Sequence, residues 1–301
     1  MNYQSAGVSE ISGSETGTSI AGSSWLPQRV LIRDGRRASK PHTLDAHGFA
    51  LLADAKALHP NYYDETAVVN GYYEDCESLL AKQTGAKLVV AFDHNVRCDA
   101  AKATGRRLRN GNRVEGAAAL VHNDYTAASA KRRLSMLSEP PSRALKAELV
   151  TKLHDKPPLE RHVVEEALDG KRRFAFVNVW RPIVPVECKP LGCVDAMSVS
   201  SKDLVTLKVE HTGGQSQGGI YFASHQPQHS WWYYPSMSPD EVLLVKQWDS
   251  HGGLARGYSS DREGGKATFS LHSAFAEPTT LTKGPLVRDR ESIECRCVLV
   301  W

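Results

Sequence analysis

The sequence predicts an α+β protein in which helices gathered toward the front precede a jelly-roll or sandwich of short antiparallel strands. Three observations carry that expectation. From Arg172 onward the runs RFAFVNVWRPI, DAMSVSS, DLVTLKVEH, GIYFASH, SWWYYP, EVLLVKQWDS, KATFSLHSAF and SIECRCVLVW are short, rich in β-branched and aromatic residues, and parted by Gly, Pro, Asn and Asp. Spacing of that kind belongs to sandwiches and jelly rolls. Helical apolar spacing is instead concentrated before residue 84 and again after residue 126. Because helices do not alternate with strands, a βαβ fold is disfavoured.

Residues 1–24 are rich in Ser, Gly and Thr with few large apolar groups, and are expected to form a flexible tail or a draped arm. A single domain then runs from 25 to 301. Within it, 43–58 (TLDAHGFALLADAKAL) and 64–83 (DETAVVNGYYEDCESLLAKQ) have helical spacing, and Gly85 is placed to stop the second. The first clear strand is KLVVAF at 87–92. Another is expected where GAAALV meets VHNDYT. After Asp124, Thr126 can cap TAASAKRRLSML, Pro140-Pro141 breaks that helix, and SRALKAELVTKLHD and LERHVVEEAL follow, making a helical insertion over about 126–170. A segment leaving a strand at that point is expected to cross the barrel mouth and influence selectivity.

Composition narrows the function. The chain of 301 residues has 24% charged and 41% hydrophobic residues, those of an ordinary globular protein, and its net charge of +3 is too small to suggest a nucleic-acid partner. RRLRN at 106–110 and KRR at 131–133 and 171–173 read as solvated surface. No stretch approaches the ~20 apolar residues of a membrane span, and the N-terminus lacks a signal-peptide pattern, so a cytoplasmic location is expected. The six cysteines are accordingly expected to be thiols; Cys188 and Cys193 in CKPLGC find no second pair to complete a zinc site.

His122-Asn123-Asp124 is the only His-x-Asp or His-x-Glu in the chain. Residues i and i+2 of a strand share a face, so these two side chains can converge on one ion, though about one such triplet is expected by chance. A third ligand is needed. Of the seven histidines after Asp124, His154 and His162 fall on expected helices, and His211 and His251 adjoin glycines. His225 and His229 have helical pair spacing that Pro227 forbids. His272 is centred in the alternating KATFSLHSAF. Two histidines and a carboxylate, two from one strand and one from a distant strand, make the facial triad of a non-haem Fe(II) oxygenase; the competing reading of each is a half-buried, hydrogen-bonded polar residue. Arg290 and Ser292 of RESIECR share a face if extended, and a guanidinium fork with a hydroxyl suits a dicarboxylate co-substrate. Asn178 and Trp180 alternate with apolar residues on the NVWRP strand, Trp180 in a packing role. Trp231 to Tyr234 are read equally as pocket wall or core.

The ordered set VHNDYT, NVWRPI, PLGCVDAMSVSSKDLV, YYPSMSPDEVLLVKQWDS, TFSLHSAF and RESIECR resembles the fungal and bacterial hydroxylase/desaturase family related to the cephalosporin methoxylase accessory protein and gibberellin desaturase-like proteins, over roughly residues 25–301. That resemblance implies a double-stranded β-helix (jelly-roll, cupin-like) core, and dependence on Fe(II) and 2-oxoglutarate. It also implies oxidation by dioxygen of an unactivated C–H bond in a specialised metabolite or amino-acid-derived small molecule, by hydroxylation, desaturation or oxidative cyclisation. It places His122, Asp124 and His272 on iron and Arg290 with Ser292 on 2-oxoglutarate. The gap from His272 to Arg290 is longer than in the plant oxygenases, which leaves Arg181 as a competing anchor. Two other classes stay open: a metal-dependent β-barrel enzyme that does not use 2-oxoglutarate, and a non-catalytic partner of an active homologue. A homo- or heterodimer is compatible with either.

Overall fold

The computed structural model describes residues 1–5, 10–14, 20–21, 24–54, 60–106, 114–140, 146–210, 216–277 and 287–301. Among these the strands are β1 (Asn2–Gln4), β2 (Glu10–Ser14), β3 (Ile20–Ala21), β4 (Trp25–Pro27), β5 (Ile32–Asp34), β6 (Phe49–Ala53), β7 (Leu88–Cys98) and β8 (His122–Asn123). There follow β9 (Phe174–Pro182), β10 (Leu191–Val194), β11 (Leu204–Glu210), β12 (Ser216–Ala223), β13 (Trp231–Tyr233), β14 (Glu241–Asp249), β15 (His272–Ala274) and β16 (Glu291–Val300). One sheet has five strands in the order β6-β14-β9-β16-β7, antiparallel throughout. Besides a separate two-stranded pairing of β1 with β4, the second large sheet has nine strands, β3-β2-β11-β12-β8-β15-β10-β13-β5. It is mixed rather than wholly antiparallel, because β2 joins β11 and β5 joins β13 in parallel. Both are short N-terminal strands laid along the margins of the C-terminal sheet, where they cover backbone that would otherwise be an open edge.

The sheets meet face to face. Phe49 of β6, Trp180 of β9, and Leu243 and Val245 of β14 pack with Cys193 of β10, so residues from both sheets close one apolar cluster. Alternation along β16 divides its side chains between two environments. Ile293, Cys295 and Cys297 join the core with Cys76 and Leu80 of the Tyr73–Thr84 helix, while Ser292, Glu294 and Arg296 face the opposite way. All six cysteines are free, as expected.

Four expectations are corrected. The helix over 43–58 is only Leu44–His47: Thr43 caps it, Gly48 ends it in the left-handed region (φ +83°), and Phe49–Ala53 pairs with β14. The run FALLA is apolar at every position and so fits a buried strand as well as a helix; the adjacent sheet edge decides it. Residues 55–59 of that expectation lie outside the described residues. DAMSVSS is not a strand but a 3₁₀ turn over Ala196–Ser198, because the Asp195 carboxylate accepts from the Met197 amide. β8 is confined to His122–Asn123. At the N-terminus, Asn2–Gln4 is not a free tail: it pairs with Trp25–Pro27, and Tyr3 is fully buried. The second helix and the insertion stand as read, with helices over Tyr73–Thr84, Ala127–Met136, Ala147–Lys152 and Arg161–Leu168; residues 141–145 lie outside the described residues.

His94 on β7 is wholly buried, with Nδ1 accepting from the Tyr73 hydroxyl at 2.9 Å. Burial, helped by Lys146, pulls its pKa to about 3. The unfolded chain takes up this proton near pH 6.5 and the folded chain does not, so stability present above that pH is lost as pH falls toward 3. The expected contribution is about 1.4 kcal/mol lost per pH unit below ~6. Denaturant midpoints for wild type and His94→Gln check it: the variant should show a flatter slope between pH 6 and 5, and an unchanged slope would contradict the assignment.

Candidate metal centre

β8 and β15 are neighbours, with His122 and His272 directly opposite in the antiparallel register. Their rings lie 4.4 Å apart between centroids. Asp124 follows β8 by one residue, and one donor atom from each of His122, Asp124 and His272 lies within 4.8 Å of the others. The three residues that the sequence singles out are thus brought together.

Local hydrogen bonds orient each donor. The His122 Nδ1–H donates to the Leu120 carbonyl (2.7 Å) and the His272 Nδ1–H to the Ser270 carbonyl (3.1 Å). Each ring therefore keeps Nε2 as the unprotonated nitrogen, and the Nε2 of His122 faces the Asp124 Oδ1 at 3.6 Å. Asp124 Oδ2 is engaged elsewhere, accepting from Asn178 Nδ2 (3.0 Å) with Arg296 Nε at 3.6 Å. That leaves Oδ1 turned toward the histidines. The Asp124 amide donates to Gln247 Oε1 (3.1 Å), and the buried Asn123 donates to the Tyr125 and Gln247 carbonyls, so the turn after β8 is tied to β14. Burial pulls the His122 pKa down to about 4, reinforced by His272, so the ring is neutral. Burial opposes ionisation of Asp124, but Arg296, the two histidines and Asn178 outweigh it and hold the carboxyl below its usual range.

The centre opens on a narrow cavity lined by Arg97, Ala118, His122, Trp180, Leu191, His272, Arg290 and Glu294. Arg290 is 3% exposed; its Nη1 donates to the Lys189 carbonyl at 2.6 Å, its guanidinium lies 5.7 Å from the Trp180 ring centroid, and its Nε has no partner among the described residues. Burial, with Arg97 beside it, lowers its pKa to about 10. Ser292 is 1% exposed and pairs in register with Arg97; its hydroxyl is likewise unpartnered. Arg97 is paired with Glu115 (2.8 Å) and donates to the Gly116 carbonyl (3.0 Å), so the unused donors that suit an anion are those of Arg290 and Ser292. Arg181 is not brought to this cavity. It projects from the face of β9 opposite Asn178 and Trp180, where it is paired with the Asp54 carboxylate and donates to the Pro239 carbonyl (2.6 Å) and to the Tyr72 hydroxyl (3.3 Å). His229 is also elsewhere, bonded to Tyr3 and Asp203.

No described residue of 126–170 lines the cavity. The Ala127–Met136 helix packs beside β12, where Ser129 Oγ donates to the Gly219 carbonyl at 2.7 Å, so its expected passage over the mouth is not seen. Sequence reasoning missed Arg97, Glu294, Arg296 and Gln247. The signal for two of these was present: Arg290, Ser292, Glu294 and Arg296 are spaced by two along one strand, and the face that presents the first two presents the others.

Asn178→Ala removes the clamp on Asp124 Oδ2 while leaving the three donors in place. Metal affinity is expected to fall by about 10–100-fold, the usual effect of losing such an outer partner, and competition against a metal-sensitive dye measures it.

Two histidines and one carboxylate on one side of a basic cavity between sheets are the donor set of mononuclear Fe(II) oxygenases, with further coordination positions open. A family model described as an oxidoreductase/YMDC permease-like domain matches residues 4–300, and the chain belongs to that family. Among curated proteins the chain is similar to hydroxylase/desaturase efuI of Hormonema carpetanum, 28% identical over 310 residues covering 98% of this chain and 90% of that one. Alpha-ketoglutarate-dependent dioxygenase phiK of a fungal species is 28% identical over 270 residues, covering 90% and 83%. Among solved structures, the iron and alpha-ketoglutarate-dependent endoperoxidase NvfI superposes with a TM-score of 0.70 at 25% identity, over 99% of this chain and 96% of its own. Among the described residues no helix is long and apolar enough to cross a membrane.

Proposed function

We propose that this chain, an Fe(II)/2-oxoglutarate-dependent dioxygenase like its relatives, holds iron through His122 Nε2, Asp124 Oδ1 and His272 Nε2, and 2-oxoglutarate through Arg290 assisted by Ser292. The two facing sheets are the double-stranded β-helix of that class. The observation that carries the reading is the convergence of the three donors within 4.8 Å beside a buried arginine with an unpartnered donor. Bound iron supplies the coupling of oxidative decarboxylation of 2-oxoglutarate by dioxygen, giving succinate and carbon dioxide, to two-electron oxidation of a substrate C–H bond. Everything else is placement by the protein. The carbonyls of Leu120 and Ser270 fix the imidazole tautomers, Asn178 and Arg296 turn Asp124, and Arg290, held beside the Trp180 ring, would neutralise the distal carboxylate of 2-oxoglutarate.

The cavity as it stands has room for about one water. The substrate is a small specialised metabolite or amino-acid-derived molecule, oxidised to a hydroxylated, desaturated or cyclised product. Succinate release by the iron-loaded protein, screened over amino acids and fungal metabolites, tests the assignment: one succinate per oxidised product is expected. Substrate oxidation without consumption of 2-oxoglutarate would instead place the chain among barrel enzymes that do not use it.

A further inference from the structure

We infer that the N-terminal strand β1 is a strap that positions the metal ligand His122, with Asn2 and Tyr3 as positioning residues. The inference rests on the assignment of His122 as a ligand, and extends it to residues more than a hundred positions earlier in the chain.

The segment leading into His122 has little regular structure of its own. β8 comprises only two residues, yet the Leu120 carbonyl must be held in place because it accepts the Nδ1–H of His122 at 2.7 Å and so determines which nitrogen faces the metal. β1 holds it. Asn2 forms a parallel bridge with Leu120: its carbonyl accepts from the Val121 amide at 3.0 Å, and its side-chain Nδ2 donates to the Ala119 carbonyl at 2.8 Å. The residues on both sides of Leu120 are therefore gripped by one residue of β1.

β1 is itself latched. Tyr3 is fully buried, its hydroxyl accepting from Trp231 Nε1 (2.8 Å) and donating to His229 Nδ1 (3.0 Å). His229 Nε2 in turn reaches Asp203 Oδ2 (3.3 Å), a carboxylate with no exposure that also accepts from the Ser200 amide (2.8 Å). A buried polar chain with such ordered partners fixes one arrangement of the segment that carries it. Gln4 continues the strap by bridging Ser224, just beyond the β12 strand that pairs with His122. Contacts thus run without a gap from Asp203 and Trp231 through Tyr3 and Asn2 to the backbone at 119–121 and then to the imidazole. β12 and β15 hold His122 and Asn123 themselves, so β1 is what grips the backbone just before them.

Two single substitutions test the strap in full-length protein. Tyr3→Phe keeps the ring and removes the hydroxyl; Asn2→Ala removes one side-chain bond from a half-buried position and carries the test if the first variant folds poorly. The metal-free protein is examined first, by amide hydrogen exchange at Val121. Mn(II), a redox-stable probe of the same donors, is then titrated well below the unfolding temperature. Faster exchange at Val121 and an Mn(II) dissociation constant raised about tenfold are expected, at the low end of what loss of an outer partner causes. Leu80→Ala, a core truncation in the distant Tyr73–Thr84 helix, should lower the melting temperature without moving the Mn(II) affinity. Wild-type affinity in both folded strap variants overturns the inference, whereas wild-type affinity in His122→Ala overturns the ligand assignment beneath it.

Discussion

His272→Ala is expected to abolish stable iron binding and all turnover. In the proposed site its Nε2 is one of three donors, and the ring sits opposite His122 in the β8–β15 pairing, where among the described residues no other His, Cys, Asp or Glu completes a group of three. Two remaining donors cannot hold a labile divalent ion as three do, so the loss should exceed the ~10–100-fold that removal of an outer partner produces. Iron content after anaerobic reconstitution reads the result directly. Alanine at His162 should leave that content largely intact, because its exposed ring sits on the Arg161–Leu168 helix beside Glu160, away from the metal cluster. Full iron and full activity in His272→Ala would remove the assignment.

Arg290→Ala is expected to raise the apparent KM for 2-oxoglutarate by ~30-fold or more, with a smaller effect on metal affinity. Truncating one member of a buried, charge-assisted pair costs about 2–5 kcal/mol, and each 1.4 kcal/mol is a factor of ten. Arg290 is suited to that role by what it lacks: in a site with 3% exposure, its Nε finds no acceptor among the described residues. Arg181 is the instructive contrast. It is equally buried, but its donors are taken by Asp54, Pro239 and Tyr72, so its truncation should damage folding before it affects co-substrate affinity. A steep KM effect at Arg181 in folded protein, with Arg290→Ala silent, would reverse the two.

The contrast also marks where sequence reading succeeds. Spacing by two is local, so it sets His122 beside Asp124 and Arg290 beside Ser292, although Asp124 and Arg290 fall just outside β8 and β16; within β9, strand parity puts Arg181 on the face opposite Asn178 and Trp180. The alternation in RESIECR likewise carries Glu294 and Arg296 to the cavity side, once the strand is known to face the metal. Contacts that depend on how sheets stack are not local. Nothing in the spacing of Asn178 and Asp124, 54 residues apart, announces their hydrogen bond. The same limit explains FALLA at 49–53: a run apolar at every position carries no period, and its pairing with β14, nearly two hundred residues later, decides its conformation. The N-terminal strand is the extreme case. A composition rich in Ser, Gly and Thr reads as a tail or a draped arm, whereas β1 is fixed by pairing with Trp25–Pro27 and by Tyr3 through partners at 229 and 231.

One site is expected to take both iron and 2-oxoglutarate, with the metal triad and Arg290 acting on the same molecule. Anaerobic calorimetry of 2-oxoglutarate binding tests it most directly, comparing metal-free protein, Fe(II)-loaded protein and Fe(II)-loaded Arg290→Ala. Tight one-to-one binding is predicted only for the Fe(II)-loaded wild type, with affinity lost when either the metal or the guanidinium is removed. Equal affinity in all three samples would contradict a shared site.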